Sequence, residues 1–468
     1  MTLNPIPSLV SRAAHVRQSF RDVGPASVRF LTFIGFNVLS WQALVGGVLT
    51  LHARALGIDA GMVGILSSLL PFSMVAALLA KPMAERVGSK RLLTSGWTLR
   101  NLLIAPMILT PWVYARWGTH AAAMLILVSV SLFCLLRAVS GLGWGSWLHE
   151  IVADDRRGLY YSLEFGITRV VGVVFALFFF CFFGANPALW KFSVVSAVGV
   201  AAGLASIVFL RRVPGGLPPA RTTASVAASY REMLHTVRDR DFSPFLAVAS
   251  LGTFVNFGQM VLVMLFMRDH LHITPSVILL VTGMGNVAAA MTIQRWGRIA
   301  DSHGSPVTMA ASAALAGLAL AVLATITPGP HALRWVLPAV VLLGIGVDGF
   351  VVSANRGFLH RINPAARHAY VAVWSAVTSV AGGLSSIAAG FFIRHGSFYW
   401  EIAAGYGAIM LAVSFCCVRL KESNIDFSKE EYDLFDPDRP VISLLRMWSY
   451  VLNPAQSGPA GKKQNGLH

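Results

Sequence analysis

Twelve long apolar segments dominate this sequence and constrain what it can fold into. An α-helix of about 20 residues, rising 1.5 Å per residue, crosses a hydrocarbon core of about 30 Å. In this chain 55% of the residues are hydrophobic, 12% are charged, and the mean hydropathy is +0.65. A soluble domain cannot bury that much apolar surface, so the sequence predicts an all-α, polytopic membrane protein. The apolar segments cover about residues 28–51, 60–80, 92–115, 119–146, 158–184, 189–211, 244–267, 274–296, 306–327, 333–354, 367–393 and 398–419.

Polar segments between the apolar ones predict the domain organisation. Residues 1–27 form an N-terminal tail, and residues 420–468 form a C-terminal tail. Between them, residues 212–243 are a linker that separates two six-helix halves, 28–211 and 244–419. The four cysteines all lie in apolar segments. We therefore expect packing roles for them, with neither disulfides nor a metal site.

Lys and Arg are concentrated in alternate polar segments. With the N-terminus inside, the inside segments hold 27 of the 37 Lys and Arg residues and the outside loops hold six. This excess predicts that both termini are cytoplasmic, in an inner (plasma) membrane. Topology thus accounts for the net charge of +16, and no nucleic-acid partner is expected.

A short loop motif occurs twice. Residues 81–91 (KPMAERVGSKR) and 297–304 (GRIADSHG) each place a Gly three residues after an acid. The motif resembles the loop signature of the major facilitator superfamily, found between helices 2 and 3 and again between helices 8 and 9. The resemblance implies twelve transmembrane helices in two pseudo-symmetric halves, which transport a solute by alternating access. It also implies a conformational latch formed by Glu85, Arg86, Gly88, Gly297, Asp301 and Gly304.

Charged residues inside apolar segments are candidates for substrate and proton binding, because each costs roughly 2.5–3.5 kcal/mol near mid-bilayer. Arg137, in the fourth segment, begins Arg-Ala-Val-Ser-Gly. This resembles the superfamily's second motif, which implies a cavity-facing Arg linked to proton coupling. Asp348 lies at a similar depth in the tenth segment. We expect the two to pair across the cavity, since a nearby cation favours an ionised carboxylate. Structural roles are the alternatives: Arg137 bonded to backbone carbonyls, and a protonated Asp348 bonded to a neighbouring helix.

Two further charges lie in the fifth apolar segment. Glu164 and Arg169 are five residues apart and point about 140° away from each other on a helix, so separate roles are expected. Glu164 is the next candidate for the proton site, and Arg169 is a further candidate for substrate binding. Arg100, in the third segment, is expected to snorkel towards the interface. Arg exceeds acid within the segments, which favours an anionic substrate.

The sequence therefore predicts a proton-coupled secondary transporter of a small organic solute, with the bilayer as its surroundings and no cofactor. A monomer is favoured. One alternative is a multidrug or metabolite efflux pump, although the G-P-x-x-G-G run of drug–proton antiporters is missing. A second is a non-transporting scaffold or sensor of the same fold. A third is a membrane acyltransferase in which His149 and Asp154 form an H-x-x-x-x-D pattern.

Overall fold

The computed structural model describes residues 18, 20–79, 87–153, 156–217, 233–363, 366–396, 398–420 and 440–452. Within these ranges the chain is helical and no strand occurs. The helices are α1 (Gly24–Leu44), α2 (Gly47–Ala55), α3 (Ala60–Leu79), α4 (Ser89–Ile104), α5 (Thr110–Ile151), α6 (Arg157–Phe183), α7 (Leu189–Arg211), α8 (Phe242–Leu265), α9 (Pro275–His303), α10 (Ser305–Leu323), α11 (Ala332–Arg361), α12 (Arg367–Gly396), α13 (Tyr399–Val418) and α14 (Pro440–Leu452).

Ten helical stretches of this described part are long and apolar enough to cross a membrane. One of them, Ser89–Trp144, contains a reversal at Gly118, where φ is 77° and ψ is −176°. Residues on both sides of Gly118 pack together, since the rings of Trp97 and Trp144 lie 6.2 Å apart. The shorter helix α3 is also apolar. The chain is thus an all-α, multi-pass membrane protein, as predicted.

The helices form two compact units. The first contains Met1–Met233, Phe257–Gly283 and Val371–Tyr399, and the second contains Leu234–Asn256, Met284–Tyr370 and Trp400–His468. The two compact units are groups of residues that pack together. The two six-helix halves, in contrast, are consecutive parts of the sequence. The two halves and their linker therefore stay a prediction.

The core of the first unit is aromatic where α1, α4 and α5 meet. The Phe30 ring lies edge-on to Trp144 and Trp147, at centroid distances of 5.2 and 5.9 Å. Helices α4 and α5 approach closely at Gly96, because a Cβ there would lie 1.6 Å from Ser140 Oγ. Arg100 follows Gly96 by one helical turn, so this approach brings its side chain against α5.

In the second unit, α9 and α10 pack against α11 around small residues. A Cβ at Gly346 would lie 2.8 Å from the backbone oxygen of Ser312. The fully buried Trp296 donates its indole N–H to the Ile345 oxygen at 3.1 Å. These contacts fix the turn of α11 that carries Asp348.

The short helix α14 also belongs to this unit. Met447 and Val451 are buried in the cluster around Trp296, and Trp448 Nε1 donates to the Ala311 oxygen at 2.9 Å. Part of the C-terminal segment therefore packs against the bundle as an amphipathic helix.

Candidate functional site

Arg100 is the most deeply buried charge in the part of the chain that the structure describes. Its side chain on α4 is only 1% exposed. A guanidinium N–H donates to Asn37 Oδ1 of α1, and Trp97 Nε1 donates to the same oxygen at 3.0 Å. The guanidinium lies over Trp97 and Phe133, with its carbon 4.2 and 4.6 Å from the ring centroids. Arg100 does not snorkel to the interface, so that prediction was wrong.

Arg137 lies on α5 beside this group. Its guanidinium carbon is 4.8 Å from the ring centroid of Trp41, and its side chain is half-buried. Arg100 and Arg137 are close enough to repel each other electrostatically. Arg137, which the sequence singled out, therefore forms a pair of cations with Arg100. Both guanidinium groups lie over aromatic rings.

This pair has no acid to neutralise it among the described residues, since no carboxylate there lies within 4.0 Å of either guanidinium. Cation–π contacts with Trp and Phe contribute roughly 0.5–2 kcal/mol each. Withdrawing a cation from water costs several kcal/mol. The aromatic contacts therefore offset only part of that cost, and an anion beside Arg137 would offset more. The arrangement is suited to holding a negatively charged group.

The predicted acids lie elsewhere. Glu164 and Arg169 are both half-buried on α6, and Glu164 Oε2 is buried without a hydrogen bond to any described residue. Asp348 is half-buried in the second unit, whereas Arg137 is in the first. Pairing between Arg137 and Asp348 stays a prediction.

A second group of charges, within the first unit, joins residues from both sequence halves. Arg54 Nη2 lies 2.8 Å from Asp269 Oδ2, and Arg268 Nη1 donates to the Leu51 oxygen at 2.8 Å. Beside them the backbones of α3 and α12 touch, because a Cβ at Gly64 would lie 2.6 Å from the Ser386 oxygen. This end of the unit is therefore closed by ion pairing and close helix packing.

One glycine in each of the two predicted loops has the same backbone conformation. Gly88 has φ 84° and ψ 148°, and Gly304 has φ 87° and ψ 159°. Residues other than Gly essentially do not adopt these backbone angles. Each glycine directly precedes the first residue of a helix, Ser89 of α4 and Ser305 of α10. By contrast, a Cβ at Gly297 would meet nothing within 4 Å, so no close contact requires Gly there.

The charged side chains of the loops make different contacts. Residues 297–303 of the second predicted loop are the last turns of α9, so that loop was wrongly predicted and only Gly304 separates α9 from α10. Asp301 Oδ1 of this segment accepts from Arg356 Nε at 2.8 Å, and Arg356 Nη1 bonds Ser305 Oγ at 2.9 Å. Lys90 of the first motif lies in the first turn of α4, and its Nζ donates to the Val213 oxygen at 2.5 Å. Lys90 therefore holds the start of the predicted linker.

The linker is anchored again where it meets α8. Asp239 Oδ1 accepts the N–H groups of Asp241 and Phe242 at 2.9 and 3.2 Å. The Tyr370 hydroxyl donates to Asp239 Oδ2. The Tyr370 hydrogen bond and these two N–H groups lower the pKa of Asp239, although partial burial opposes them. The ionised Asp239 is thus the form that stabilises this contact.

Four residues singled out in the sequence analysis cannot be compared with the structure. Glu85, Arg86 and Asp154 lie outside the described residues. His149 lies on α5, in a part whose side-chain surroundings are not described. Their proposed roles in a latch or an acyltransferase pattern stay predictions.

Sequence reasoning missed the Arg100–Asn37 contact and the charge cluster around Arg54. A polar Asn37 in the middle of the first apolar segment was one available signal, because buried amides require hydrogen-bond partners. No comparable signal existed for Arg54 and Asp269, which lie outside the deep parts of their segments.

Comparisons with known proteins agree with the helical architecture. Residues 246–455 match the family model of the Major Facilitator Superfamily. No curated protein sequence matches the chain. A crystal structure of the nucleoside transporter NupG has a TM-score of 0.61 at 14% identity, over 85% of this chain and 100% of its own. The chain has the major facilitator superfamily fold.

Two other solved structures with a similar fold are named as transporters of different substrates. The peptide transporter POT, in complex with sulfate, gives a TM-score of 0.65 at 12% identity, covering 84% of this chain and 94% of its own. A bacterial metal transporter gives 0.60 at 14% identity, over 86% and 100%. At such identities the likeness shows the fold alone.

Proposed function

We propose that this protein is a secondary active transporter that moves a small organic anion across an inner membrane by alternating access. The observation that carries the proposal is the Arg100–Arg137 pair, which has no carboxylate partner among the described residues. An anionic group beside the half-buried Arg137 supplies the missing counter-charge. The fully buried Arg100 adds to the positive potential at that position without touching the substrate.

Alternating access requires a closed end that opens. The cluster of Arg54, Asp269 and Arg268 closes one end of the first unit, and it joins parts of both sequence halves. From the charge distribution we place this end outside and both termini in the cytoplasm. Opening towards the outside then requires the Arg54–Asp269 pair to separate. The repeated loops, with Glu85, Arg86 and Asp301, form the proposed latch on the cytoplasmic side.

We also propose that transport is coupled to protons. Asp348 and Glu164 are its candidates, since acids in an apolar setting exchange protons when a nearby charge changes. In proteoliposomes, Asp348→Asn should transport without a pH dependence if Asp348 carries the proton. If it retains the wild-type pH dependence, Glu164→Gln becomes the decisive variant.

The test of anion transport uses pairs of organic acids and their uncharged amides, beginning with benzoate and benzamide. Purified protein is first screened for thermal stabilisation by each compound, and those that stabilise it are then assayed for uptake into proteoliposomes. Acids should stabilise the protein and their amides should not. Loss of a charged contact typically costs 2–5 kcal/mol, so Arg137→Gln should weaken binding by at least about 30-fold.

Arg116→Gln is the matched control, because Arg116 is exposed and lies on the other side of the reversal at Gly118 from Arg137. It should bind and transport like the wild type. Equal stabilisation and uptake of an acid and its amide would refute anion selectivity. Wild-type binding by Arg137→Gln would remove Arg137 from the site.

A further inference from the structure

An apolar groove runs along the outside of the first unit, between α1, α6 and α7. Its volume is about 640 Å³. The wall formed by α6 is open to the surroundings, and Val170 is 63% exposed. Gly35 forms part of the floor, where a Cβ would already meet Ile167 at 3.3 Å. Other residues of the walls are Leu31, Thr32, Phe36, Leu39, Val174 and Phe178.

Several exposed arginines lie near one end of this groove. Arg29 precedes the groove residues Thr32, Phe36 and Leu39 at intervals of three and four residues, so all four share one face of α1. Arg29 Nη1 donates to the backbone oxygen of Arg212 at 2.9 Å. The side chains of Arg29 and Arg212 are both exposed.

The end of α7 brings another cation to the same place. Phe36, inside the groove, stacks on Phe209 of α7 with ring centroids 5.5 Å apart and planes 11° from parallel. Two residues further along α7 is the exposed Arg211. Arg21, next to the groove residue Phe20, is also exposed.

Two acids lie near this cationic end. Asp22 is adjacent to Arg21, and Glu164 precedes the groove residue Ile167 by one helical turn. Among the described residues the four arginines therefore outnumber these acids. The local field favours an anion.

We propose that the groove binds an anionic phospholipid of the surrounding bilayer. The acyl chain lies along the apolar walls, and the phosphate is held at the groove's end by Arg29, Arg211 and Arg212. Basic pockets between transmembrane helices recognise anionic headgroups in this way. A soluble phosphate ester would leave the apolar length of the groove unfilled, so the lipid is the occupant that uses both features.

The experiment measures lipid selectivity on the full-length protein. The protein is equilibrated in detergent with equal amounts of dioleoyl phosphatidylglycerol and dioleoyl phosphatidylcholine, and retained lipids are counted by native mass spectrometry. The wild type should retain phosphatidylglycerol preferentially. Each guanidinium near an anionic headgroup is worth about fivefold in affinity. Arg29→Gln with Arg211→Gln should therefore lower the preference by about 25-fold at low ionic strength.

Three further variants distinguish binding in this groove from a general attraction of anionic lipid to a basic protein. Arg334→Gln removes an exposed guanidinium from the second unit and should leave the preference unchanged. Arg29→Lys keeps the charge and should retain most of it. Gly35→Val fills the floor and should reduce retention of the long-chain lipid. If the double variant does not fold, Arg211→Gln alone should give a loss of about fivefold.

Equal retention of the two lipids by the wild type would overturn the proposal, as would an unchanged preference in the arginine variants. Displacement of the lipid by equimolar inorganic phosphate would show that the headgroup alone is recognised. That result would overturn the role of the groove.

Discussion

The two repeated motifs have the same backbone conformation at Gly88 and Gly304 and different side-chain contacts nearby. Gly88 and Gly304 agree within 3° in φ and 11° in ψ, and each precedes a helix that begins with Ser. Only Gly tolerates these angles without strain. The repeat recognised in the sequence is therefore present in the structure as a backbone feature.

The charged residues near the two loops serve different partners. Lys90 binds the carbonyl of Val213 at the start of the linker, whereas Asp301 binds Arg356 within the second unit. Lys90 has no charged counterpart in the second repeat, where Pro306 stands two residues after Gly304, so its contact with the linker belongs to the first repeat alone. Each charge has to be assigned from its own contacts.

The largest expected effect in this comparison comes from the glycines. Gly88→Ala and Gly304→Ala should each lower the free energy of unfolding by about 1–3 kcal/mol, because Ala is strained at these angles. Thermal unfolding of the purified protein in detergent measures the loss. Gly297→Ala is the control. It should be neutral or slightly stabilising, since the added methyl meets no atom within 4 Å and Ala favours a helix.

If Gly297→Ala destabilises the protein as much as Gly304→Ala does, backbone strain is not the reason for the repeated glycine. A wild-type melting temperature in both Gly88→Ala and Gly304→Ala would also show that backbone strain is not the reason for the repeated glycine.

Much of the fold could be predicted from the sequence, because a span needs only a long apolar segment and carries its backbone hydrogen bonds within itself. Among the described residues most of each apolar segment lies in helix, and Gly88 and Gly304 have nearly the same backbone angles. Details of packing could not be predicted. The close approach of α4 and α5 depends on Gly96 meeting Ser140, and a pairwise fit of this kind leaves no periodic signal in one sequence.

The candidate site was predictable in part for a related reason. An Arg in an apolar segment signals function or structure, so Arg137 could be singled out. The burial of Arg100 depends on Asn37, Trp97 and Phe133, which come from three different segments. Their meeting is a consequence of tertiary packing. The same holds for Arg54 and Asp269, which are far apart in the sequence.

Two ion pairs that differ in exposure should give effects up to the size of the glycine effect for the buried pair and smaller for the exposed pair. Arg54 and Asp269 are mostly buried, whereas the Asp301 side chain is 73% exposed. Exposed pairs contribute at most about 1 kcal/mol, while removing one partner of a buried pair costs more. Asp269→Asn should therefore destabilise the protein by roughly 1–3 kcal/mol, between those limits, and Asp301→Asn by less.

The same two variants sharpen the proposed mechanism. Asp269→Asn should increase labelling of a cysteine introduced at Ala55 by a membrane-impermeant thiol reagent, because the closed end loses an ion pair. Double-mutant cycles with Arg54→Gln and Arg356→Gln isolate each coupling energy. A larger coupling for the exposed pair, or unchanged labelling at Ala55, would contradict this interpretation.

The smallest expected effect is a pH dependence at the linker, and it distinguishes Tyr160 from Tyr370, which each lie three residues after the Arg that begins a helix, Arg157 of α6 or Arg367 of α12. Tyr370 donates to Asp239, whereas Tyr160 is buried in the aromatic core of the first unit. Because hydrogen bonding lowers the folded-state pKa of Asp239, the ionised carboxylate stabilises the fold above its ordinary pKa of about 4. That stability is lost as the pH falls below this value.

Thermal unfolding at a series of pH values should show the wild type and Asp239→Asn converging at acid pH and separating above pH 5. Tyr370→Phe should reduce the separation, while Asp241→Asn, at an exposed position, and Tyr160→Phe should leave the acid dependence as it is. An unchanged acid dependence in Asp239→Asn would show that another carboxylate is responsible.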